Sequence, residues 1–299
     1  MAEKNPFNIS APARRGSHRV ALERQMAWSE WGPADGVPVL FSPGAATSGS
    51  LGFAGGAVER LGVRLIGLDR PGLGSSDPSP DRTLLDTAAD IRVLVGALAL
   101  ERPAMIGFSQ GAPLALACAA AGAVSALAVV SGTDELAGPV QRGLLPPQVR
   151  QHVELAETDP AAAEAMFRGM MTPAMLKEMV RSASPEVDRA VYLDPTFADA
   201  FASALDEGFV QGPDGYARDT LLVMQRWPFD LAQIHQPVHL WYGSADASPF
   251  HSLDLGASLA QRIPGAARSV VEGAGGSLLW THGAEILEAL LDARYRAAI

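Results

Sequence analysis

A serine flanked by glycines stands between an apolar segment and an alanine-rich segment. The residues read Gly107-Phe108-Ser109-Gln110-Gly111, preceded by "AMI" and followed by "APLALACAAA". The pattern G-x-S-x-G between a strand and a helix is typical of a nucleophile elbow, whose tight turn lifts the serine hydroxyl above the sheet. The glycines remove Cβ atoms where strand and helix approach, and the helix N-terminus favours negative charge. We predict that Ser109 is a nucleophile; the alternative is a serine that only caps a helix.

Short apolar segments alternate with helical segments along most of the chain. Six of them have the length and composition of buried strands: "VPVLF", "VRLIGLD", "PAMIGF", "VSALAVVSG", "VHLWYG" and "RSVVEG". Helical spacing is found over Ser50–Leu61, Thr83–Leu100, Ser109–Ala121, Leu253–Ile263 and Ala284–Ala298. Apolar strands separated by helices predict a parallel sheet covered on both faces. Two earlier segments, Arg19–Glu23 and Gln25–Trp31, predict an antiparallel entry into that sheet.

The alternation stops after Ser131, and only helical signals follow as far as Gln211. Several segments there begin with Thr, Ser or Asp next to Pro, as at a helix N-terminus. We predict an all-helical insert over residues 135–212 and an α/β core made of residues 1–134 and 213–299. Five of the nine methionines lie in the insert: Met166, Met170, Met171, Met175 and Met179. They indicate either a helix-packing core or a pliable apolar lid over a substrate cleft.

The elbow and the segment "LDRPGLGSSDPSP" (Leu68–Pro80) resemble the α/β-hydrolase superfamily, in the branch with a helical cap. The resemblance implies an α/β-hydrolase fold, with a mostly parallel eight-stranded sheet flanked by helices and the insert as the cap. It also implies that Asp69, Arg70 and Gly72 support the site without taking part in the reaction. A serine at the elbow disfavours the epoxide hydrolases and dehalogenases of this fold and favours hydrolysis of ester, thioester, lactone, amide or carbon–carbon bonds.

An attacking serine needs N–H donors aimed at the oxygen that becomes negative. One donor is the backbone N–H after the nucleophile, that of Gln110. The resemblance implies that the other comes from the loop after the third strand, which usually reads His-Gly-x. This chain reads "FSPGAATSG", so Pro43 stands in place of the histidine and Ala45 is expected to supply the N–H. The fixed φ of proline is expected to replace part of the lost rigidity.

The carboxylate of the site is expected after a strand near the C-terminus. Asp246 lies in "VHLWYGSADASPF", a few residues beyond the strand end, where ligand-binding and catalytic groups of open α/β sheets gather. The resemblance implies that it orients the catalytic histidine. Its alternative reading is a turn residue in a loop rich in Gly, Ser and Pro. Asp134, in "VVSGTDEL" after the sixth strand, is the alternative acid.

The catalytic base is missing from its expected position. Relatives usually carry G-x-G-H after the last strand, whereas this chain has Gly273-Ala274-Gly275-Gly276. His282 is the main candidate, although it lies six residues past Gly276, which is about 9 Å along a helix or up to about 20 Å when extended. The glycines could redirect the loop; otherwise His282 only begins a helix. His251, five residues after Asp246, is the alternative base and is expected to pack under the cap. The remaining histidines are expected to be structural or at the surface: His18, His152, His235 and His239.

Composition limits the kind of partner. The chain has 299 residues and a net charge of −10, which disfavours nucleic acid and anionic membrane surfaces as partners. One cysteine, Cys118, excludes an intrachain disulfide, and the polar start "MAEKNPFNIS" has no apolar segment typical of a signal peptide. We expect a cytoplasmic protein with a small-molecule substrate, no cofactor and no metal. Homo-oligomerisation is left open.

The sequence supports three functional hypotheses. The first is a carboxylesterase-like serine hydrolase that acts on a small, mostly apolar ester, thioester or lactone through an acyl-enzyme on Ser109, with Asp246 and His282 as partners. The second is a binding protein that keeps the cleft but has lost turnover, because Gly276 replaces the usual histidine. The third is a non-hydrolytic enzyme of the lyase type. A serine site without its histidine loses on the order of 10⁶ in kcat, so the position of the base decides between them.

Overall fold

One eight-stranded sheet organises the computed structural model, which describes residues 5–297. Its strands are β1 (Arg14–Ala21), β2 (Arg24–Trp31), β3 (Val37–Ser42), β4 (Val63–Leu68), β5 (Ala104–Phe108), β6 (Leu127–Val130), β7 (Val238–Gly243) and β8 (Ala267–Val271). Their spatial order is β1-β2-β4-β3-β5-β6-β7-β8. The pairs β1–β2 and β2–β4 are antiparallel and the others are parallel. The predicted mostly parallel sheet is therefore confirmed. The first four residues of the polar start lie outside the described residues.

The central strands β3, β4, β5 and β6 are mostly apolar because both faces of the sheet are covered there. Along β3, Leu40 faces a core that includes α2 (Leu84–Ala97) and α3 (Ala112–Ala120). Its neighbours Val39 and Phe41 face the opposite core, which includes α1 (Gly55–Arg60) and α13 (Gly283–Arg296). This alternation follows from the two-residue period of a strand. Consecutive apolar residues are thus divided between two cores.

The remaining elements of the α/β part are short. They are the 3₁₀ turns Ser109–Gly111 and Leu231–Gln233, α11 (Ala257–Arg262) and α12 (Leu278–Thr281). The sequence predicted longer elements at two places. Helix α1 begins at Gly55 rather than Ser50, and α11 begins at Ala257 rather than Leu253, because the residues before them form turns and loops. Strand β1 is longer than predicted and begins at Arg14 instead of Arg19.

Between β6 and β7 the described chain is helical, as the sequence predicts. We call Pro139–Met224 the helical segment; it comprises α4 (Pro139–Leu144), α5 (Pro147–Thr158), α6 (Pro160–Met170), α7 (Pro173–Ala183), α8 (Glu186–Tyr192), α9 (Pro195–Gly208) and α10 (Asp214–Met224). Asp159, Thr172 and Asp194 cap α6, α7 and α9 through side-chain oxygens that accept backbone N–H groups. Helix α10 shares an apolar core with α5 and α6. The next strand after β6 is β7. Within residues 5–297, no helix is both long enough and apolar enough to span a membrane.

Gly111 provides a stability test of the junction between β3 and the elbow. A Cβ at Gly111 would lie 2.5 Å from the carbonyl oxygen of Pro43 and would also overlap that of Ser42. Because backbone atoms cannot move aside, Gly111→Ala should lower the free energy of unfolding by about 1–3 kcal/mol. Urea denaturation measures this change.

Gly96 in α2 is the matched control, since a Cβ there meets nothing within 4 Å. Gly96→Ala should raise the free energy of unfolding by about 0.5–1 kcal/mol, because Gly is a poor helix former. Equal effects of the two substitutions would contradict the steric explanation.

Candidate active site

Ser109 occupies a strained turn at the carboxyl end of β5. Its φ is 50°, a left-handed conformation that non-glycine residues rarely adopt. The neighbouring glycines allow this turn to approach its surroundings. A Cβ at Gly107 would lie 2.6 Å from the Cβ of Ala115 in α3. The side chain of Ser109 thus projects from the strand end towards a cavity that it helps to line.

His251 forms a hydrogen bond with Ser109. Its Nε2 lies 2.9 Å from Ser109 Oγ, and its Nδ1 lies 2.6 Å from Asp246 Oδ2. A carboxylate only accepts hydrogen bonds, so Nδ1 carries the proton and Nε2 accepts from the serine hydroxyl. The side chain of Asp246 is only 2% exposed. Serine, imidazole and carboxylate therefore form the continuous chain that a serine nucleophile requires.

A short turn brings His251 back towards Asp246. The backbone N–H of Ser248 donates to Asp246 Oδ1 at 3.0 Å, and that of His251 donates to the carbonyl oxygen of Ser248 at 3.4 Å. An aspartate that accepts from the N–H two residues later reverses the chain locally. The five-residue spacing between acid and histidine therefore places both side chains above the same strand end. This turn is the signal in the sequence that could have favoured His251.

Gly276 leaves room for the imidazole. A Cβ at this position would lie 2.9 Å from Asp246 Oδ1 and 3.1 Å from His251 Cε1. Both distances are shorter than ordinary van der Waals contact. Gly276, which stands in place of the usual histidine, thus leaves the space that His251 needs.

Two sequence-based expectations about the histidines need correction. His282 is the N-cap residue of α13, and its Nδ1 pairs with Thr281 Oγ1 at 2.9 Å. It does not line the cavity that contains Ser109. His251 was expected to pack under the cap, and instead it contacts the serine. The preference for His282 failed because His282 continues from α12 into a helix, and the loop after β8 does not carry it inward.

Asp134 is not part of this hydrogen-bond chain. Its buried carboxylate accepts from Ser258 Oγ at 2.7 Å, from Gln141 Nε2 at 2.9 Å and from the N–H of Glu135 at 2.6 Å. Burial raises the pKa of Asp134 above its usual value, and the hydrogen bonds from Ser258 and from the N–H of Glu135 oppose the rise. The alternative acid is thus engaged in a structural network, while Asp246 holds the histidine.

Asp188 connects the helical segment to the loop after β8. This buried residue of α8 accepts from the N–H of Gly276 at 2.9 Å, from the N–H of Ser277 at 2.8 Å and from Ser277 Oγ at 2.6 Å. A Cβ at Gly275 would overlap the same carboxylate. The loop that usually carries the histidine is therefore fixed by Asp188, and no local pattern in the sequence indicates this role.

The expected oxyanion donors lie beside the serine. Gln110 follows it in the 3₁₀ turn, and Ala45 lies in the loop after β3; both line the cavity. A Cβ at Gly44 would lie 3.7 Å from Ser109 Cβ, so this loop is adjacent to the nucleophile. The arrangement is compatible with two N–H groups around a reacting carbonyl oxygen.

The cavity has a volume of about 370 Å³ and mostly apolar walls. Phe108 and Trp280 come from the α/β part, and Phe201 and Leu205 from the helical segment. Of the five methionines singled out in the sequence, Met170, Met171 and Met179 line the cavity. Met166 packs against the core between α5, α6 and α10, and Met175 is exposed. Three of these methionines thus line the cavity, and Met166 belongs to the packing between helices.

A family model described as the alpha/beta hydrolase fold matches residues 37–283. The chain belongs to this family. Most of its members are hydrolytic enzymes. The family assignment agrees with the sheet order, the elbow and the insert, and it leaves the substrate open.

Relatives of known name match a smaller part of the chain. Over 116 residues it is 32% identical to a proline iminopeptidase of Neisseria gonorrhoeae, which is 38% of this chain and 37% of that protein. Solved structures match along nearly the whole chain. A bromoperoxidase from Bacillus anthracis has a TM-score of 0.67 at 18% identity and covers 94% of this chain and 99% of its own. The enol-lactonase from Burkholderia xenovorans LB400 has a TM-score of 0.66 at 18% identity, with coverages of 93% and 99%. At such identities the structures establish the fold alone.

Gly276→Ala tests whether the space beside His251 matters. The added Cβ should displace the imidazole or the Asp246 carboxylate, and a displacement of about 1 Å can cost 10²-fold in rate. We expect the rate at which a fluorophosphonate labels Ser109 to fall about 10- to 100-fold. Intact-mass spectrometry over time measures labelling.

Gly169→Ala in α6 is the control, because a Cβ there meets nothing within 4 Å and labelling should keep the wild-type rate. Wild-type labelling of a folded Gly276→Ala protein would contradict the need for this space.

Proposed function

We propose that the chain is a serine hydrolase that cleaves a small, mostly apolar ester, thioester or lactone through an acyl-enzyme on Ser109. In this proposal His251 is the general base, Asp246 orients it, and the N–H groups of Gln110 and Ala45 bind the oxyanion. The observation that carries the proposal is the 2.9 Å hydrogen bond between His251 Nε2 and Ser109 Oγ at the wall of the cavity.

The first half of the reaction forms the acyl-enzyme. Ser109 Oγ attacks the carbonyl carbon while its proton passes to His251 Nε2, and the carbonyl π electrons move to the oxygen. The resulting oxyanion is stabilised by the two N–H groups, and the imidazolium is stabilised by Asp246. When the carbonyl re-forms, the bond to the leaving oxygen or sulfur breaks, and His251 returns the proton to the leaving group.

The second half releases the acid. Water takes the place of the leaving group, His251 removes its proton, and the hydroxyl attacks the acyl carbon. Collapse of this second tetrahedral intermediate breaks the bond to Ser109 Oγ, which regains the proton from His251. In each half the imidazole takes up one proton and then gives it away, so the reaction requires no cofactor.

The walls of the cavity support an uncharged, apolar substrate. Helices α6, α7 and α9 contribute apolar side chains above the serine, and we propose that the helical segment acts as the cap. Two carboxylates line the cavity, Asp188 and Asp246, and both are engaged by hydrogen bonds from the protein. The rest of the lining is mostly apolar and offers little to an ammonium group. The proposal therefore favours esters over the N-terminal proline peptides that the name of the iminopeptidases suggests.

The hypothesis of an impaired binding protein rested on the absence of a base at Gly276. The position of His251 supports a working hydrolase instead, because it supplies the proton acceptor that Gly276 cannot. No observation on the described residues specifically favours a lyase-type reaction.

His251→Ala tests the assignment of the base. Loss of the histidine from a serine site costs on the order of 10⁶ in kcat, and we expect a loss of that order for hydrolysis of p-nitrophenyl butyrate. Ser109→Ala should be about equally inactive and should not be labelled by a fluorophosphonate. Steady-state kinetics and product analysis by mass spectrometry measure both effects.

His282→Ala is the matched control and should retain kcat within about threefold, because surface substitutions away from a site have small effects. A large loss of kcat in His282→Ala together with an active His251→Ala protein would reverse the assignment.

Substrate charge provides an independent test. The cavity walls are mostly apolar, and an ammonium group that loses its water against them costs several kcal/mol. We expect kcat/KM for p-nitrophenyl butyrate to exceed that for proline p-nitroanilide by about 10²-fold or more. Comparable values for the two substrates would contradict the proposed substrate class.

A further inference from the structure

Arg70 lies behind the loop that carries the expected oxyanion donor. It follows β4, and its side chain is 3% exposed. Its Nη1 donates to the carbonyl oxygen of Pro43 at 2.5 Å, and its Nη2 donates to that of Gly44 at 2.9 Å. The guanidinium therefore holds two successive peptide groups of the loop from the side opposite to the cavity.

A buried counter-charge holds Arg70 in this position. Its Nε donates to Asp219 Oδ2 at 2.6 Å, and Arg82 pairs with the other oxygen of the same carboxylate. Asp219 belongs to α10, so the helical segment supplies the charge. A guanidinium buried without a carboxylate would be costly, whereas this arrangement leaves its Nη groups directed at the two carbonyl oxygens.

The Gly44–Ala45 peptide links Arg70 to the reaction. In a trans peptide the C=O of one residue and the N–H of the next point in opposite directions. Because Arg70 binds the Gly44 carbonyl oxygen, the Ala45 N–H points away from Arg70, and Ala45 lines the cavity beside Ser109. A hydrogen bond to the carbonyl also polarises the peptide and strengthens its N–H as a donor. Thr47 Oγ1 donates to the same carbonyl oxygen at 3.2 Å and acts in the same sense.

We propose that Arg70 is a positioning residue of the oxyanion hole, which orients and polarises the Gly44–Ala45 peptide so that its N–H stabilises the oxyanion. This inference rests on the proposed function, since it concerns the oxyanion formed when Ser109 attacks. It also gives Arg70 a part in the reaction that the sequence did not assign. Pro43 stands in place of a histidine in this loop, and Arg70 holds the loop through the carbonyl oxygens of Pro43 and Gly44.

The experiment compares Arg70→Met with Arg82→Met. Both substitutions remove a buried guanidinium from Asp219, but Arg82 donates to Ser79 and not to the oxyanion loop. For Arg70→Met we expect kcat on p-nitrophenyl butyrate to fall about 10- to 100-fold, less than or similar to the loss of a whole oxyanion donor. KM should stay within about threefold of wild type, because the donor acts on the transition state. Arg82→Met should keep wild-type kcat.

The amide signal of Ala45 provides a readout that does not depend on turnover. In protein labelled with ¹⁵N-alanine and ¹³C-glycine, the Ala45 signal is identified by its disappearance in Ala45→Gly. The proton and nitrogen shifts should move upfield in Arg70→Met, because the peptide loses a polarising donor, and should stay unchanged in Arg82→Met. If Arg70→Met does not fold, Arg70→Lys and Arg82→Lys replace the pair, since lysine keeps the charge but not the two-pronged contact.

The outcomes separate this inference from the proposed function. Absence of ester turnover in the wild-type protein would contradict the proposed function, and the Ala45 signal would then still decide whether Arg70 polarises the peptide. An unchanged Ala45 signal in the Arg70 variant overturns the inference, whatever happens to kcat. A fall in kcat equal to that of the Arg82 variant overturns it as well.

Discussion

The absence of a side chain at position 276 is the constraint on which the site depends. Asp246 and His251 lie 2.9 Å and 3.1 Å from the place that a Cβ of Gly276 would occupy. The imidazole that pairs with Ser109 therefore uses space that any other residue would fill. In the relatives that the sequence resembles, the same loop usually supplies the histidine itself. The two arrangements exclude each other sterically, because a histidine at position 276 would bring its Cβ against Asp246 and His251.

Ser109 is held in a strained backbone conformation by the strands around it. Ser109 keeps a φ of 50° because it is held between β5 and α3, and its carbonyl oxygen accepts from the N–H of Thr133 at 3.1 Å. The glycines on either side are required by close contacts with backbone and α3. A strained residue of this kind persists only where its surroundings determine it. The buried strands β3, β5 and β6 provide those surroundings.

The parts of the structure that follow from local pattern could be predicted from the sequence. The strands, the elbow and the helical insert have short-range signals, namely apolar runs, G-x-S-x-G and N-terminal caps. The position of the base could not be predicted in the same way, because it depends on a turn and on an empty volume. The search for a base near Gly276 along the chain led to His282, whereas His251 reaches the serine from the loop after β7. The role of Asp188 and the path of α10 depend on long-range packing, for which the sequence has no local signal.

Asp246 and His251 lie on the same loop after β7, so the loop after β8 is not needed to carry the histidine. Asp246 and His251 are held by a local turn through Ser248, so their relative position does not require two loops to stay in register. The loop after β8 no longer supplies a reacting group, and its N–H groups at Gly276 and Ser277 bind Asp188 instead. The helical segment therefore holds the wall beside the imidazole through Asp188, and it also packs against Phe250 of the turn that carries His251. A movement of α8 would first shift Gly276, which Asp188 binds. The hydrogen bond between His251 and Asp246 would then change through the close approach of both side chains to Gly276.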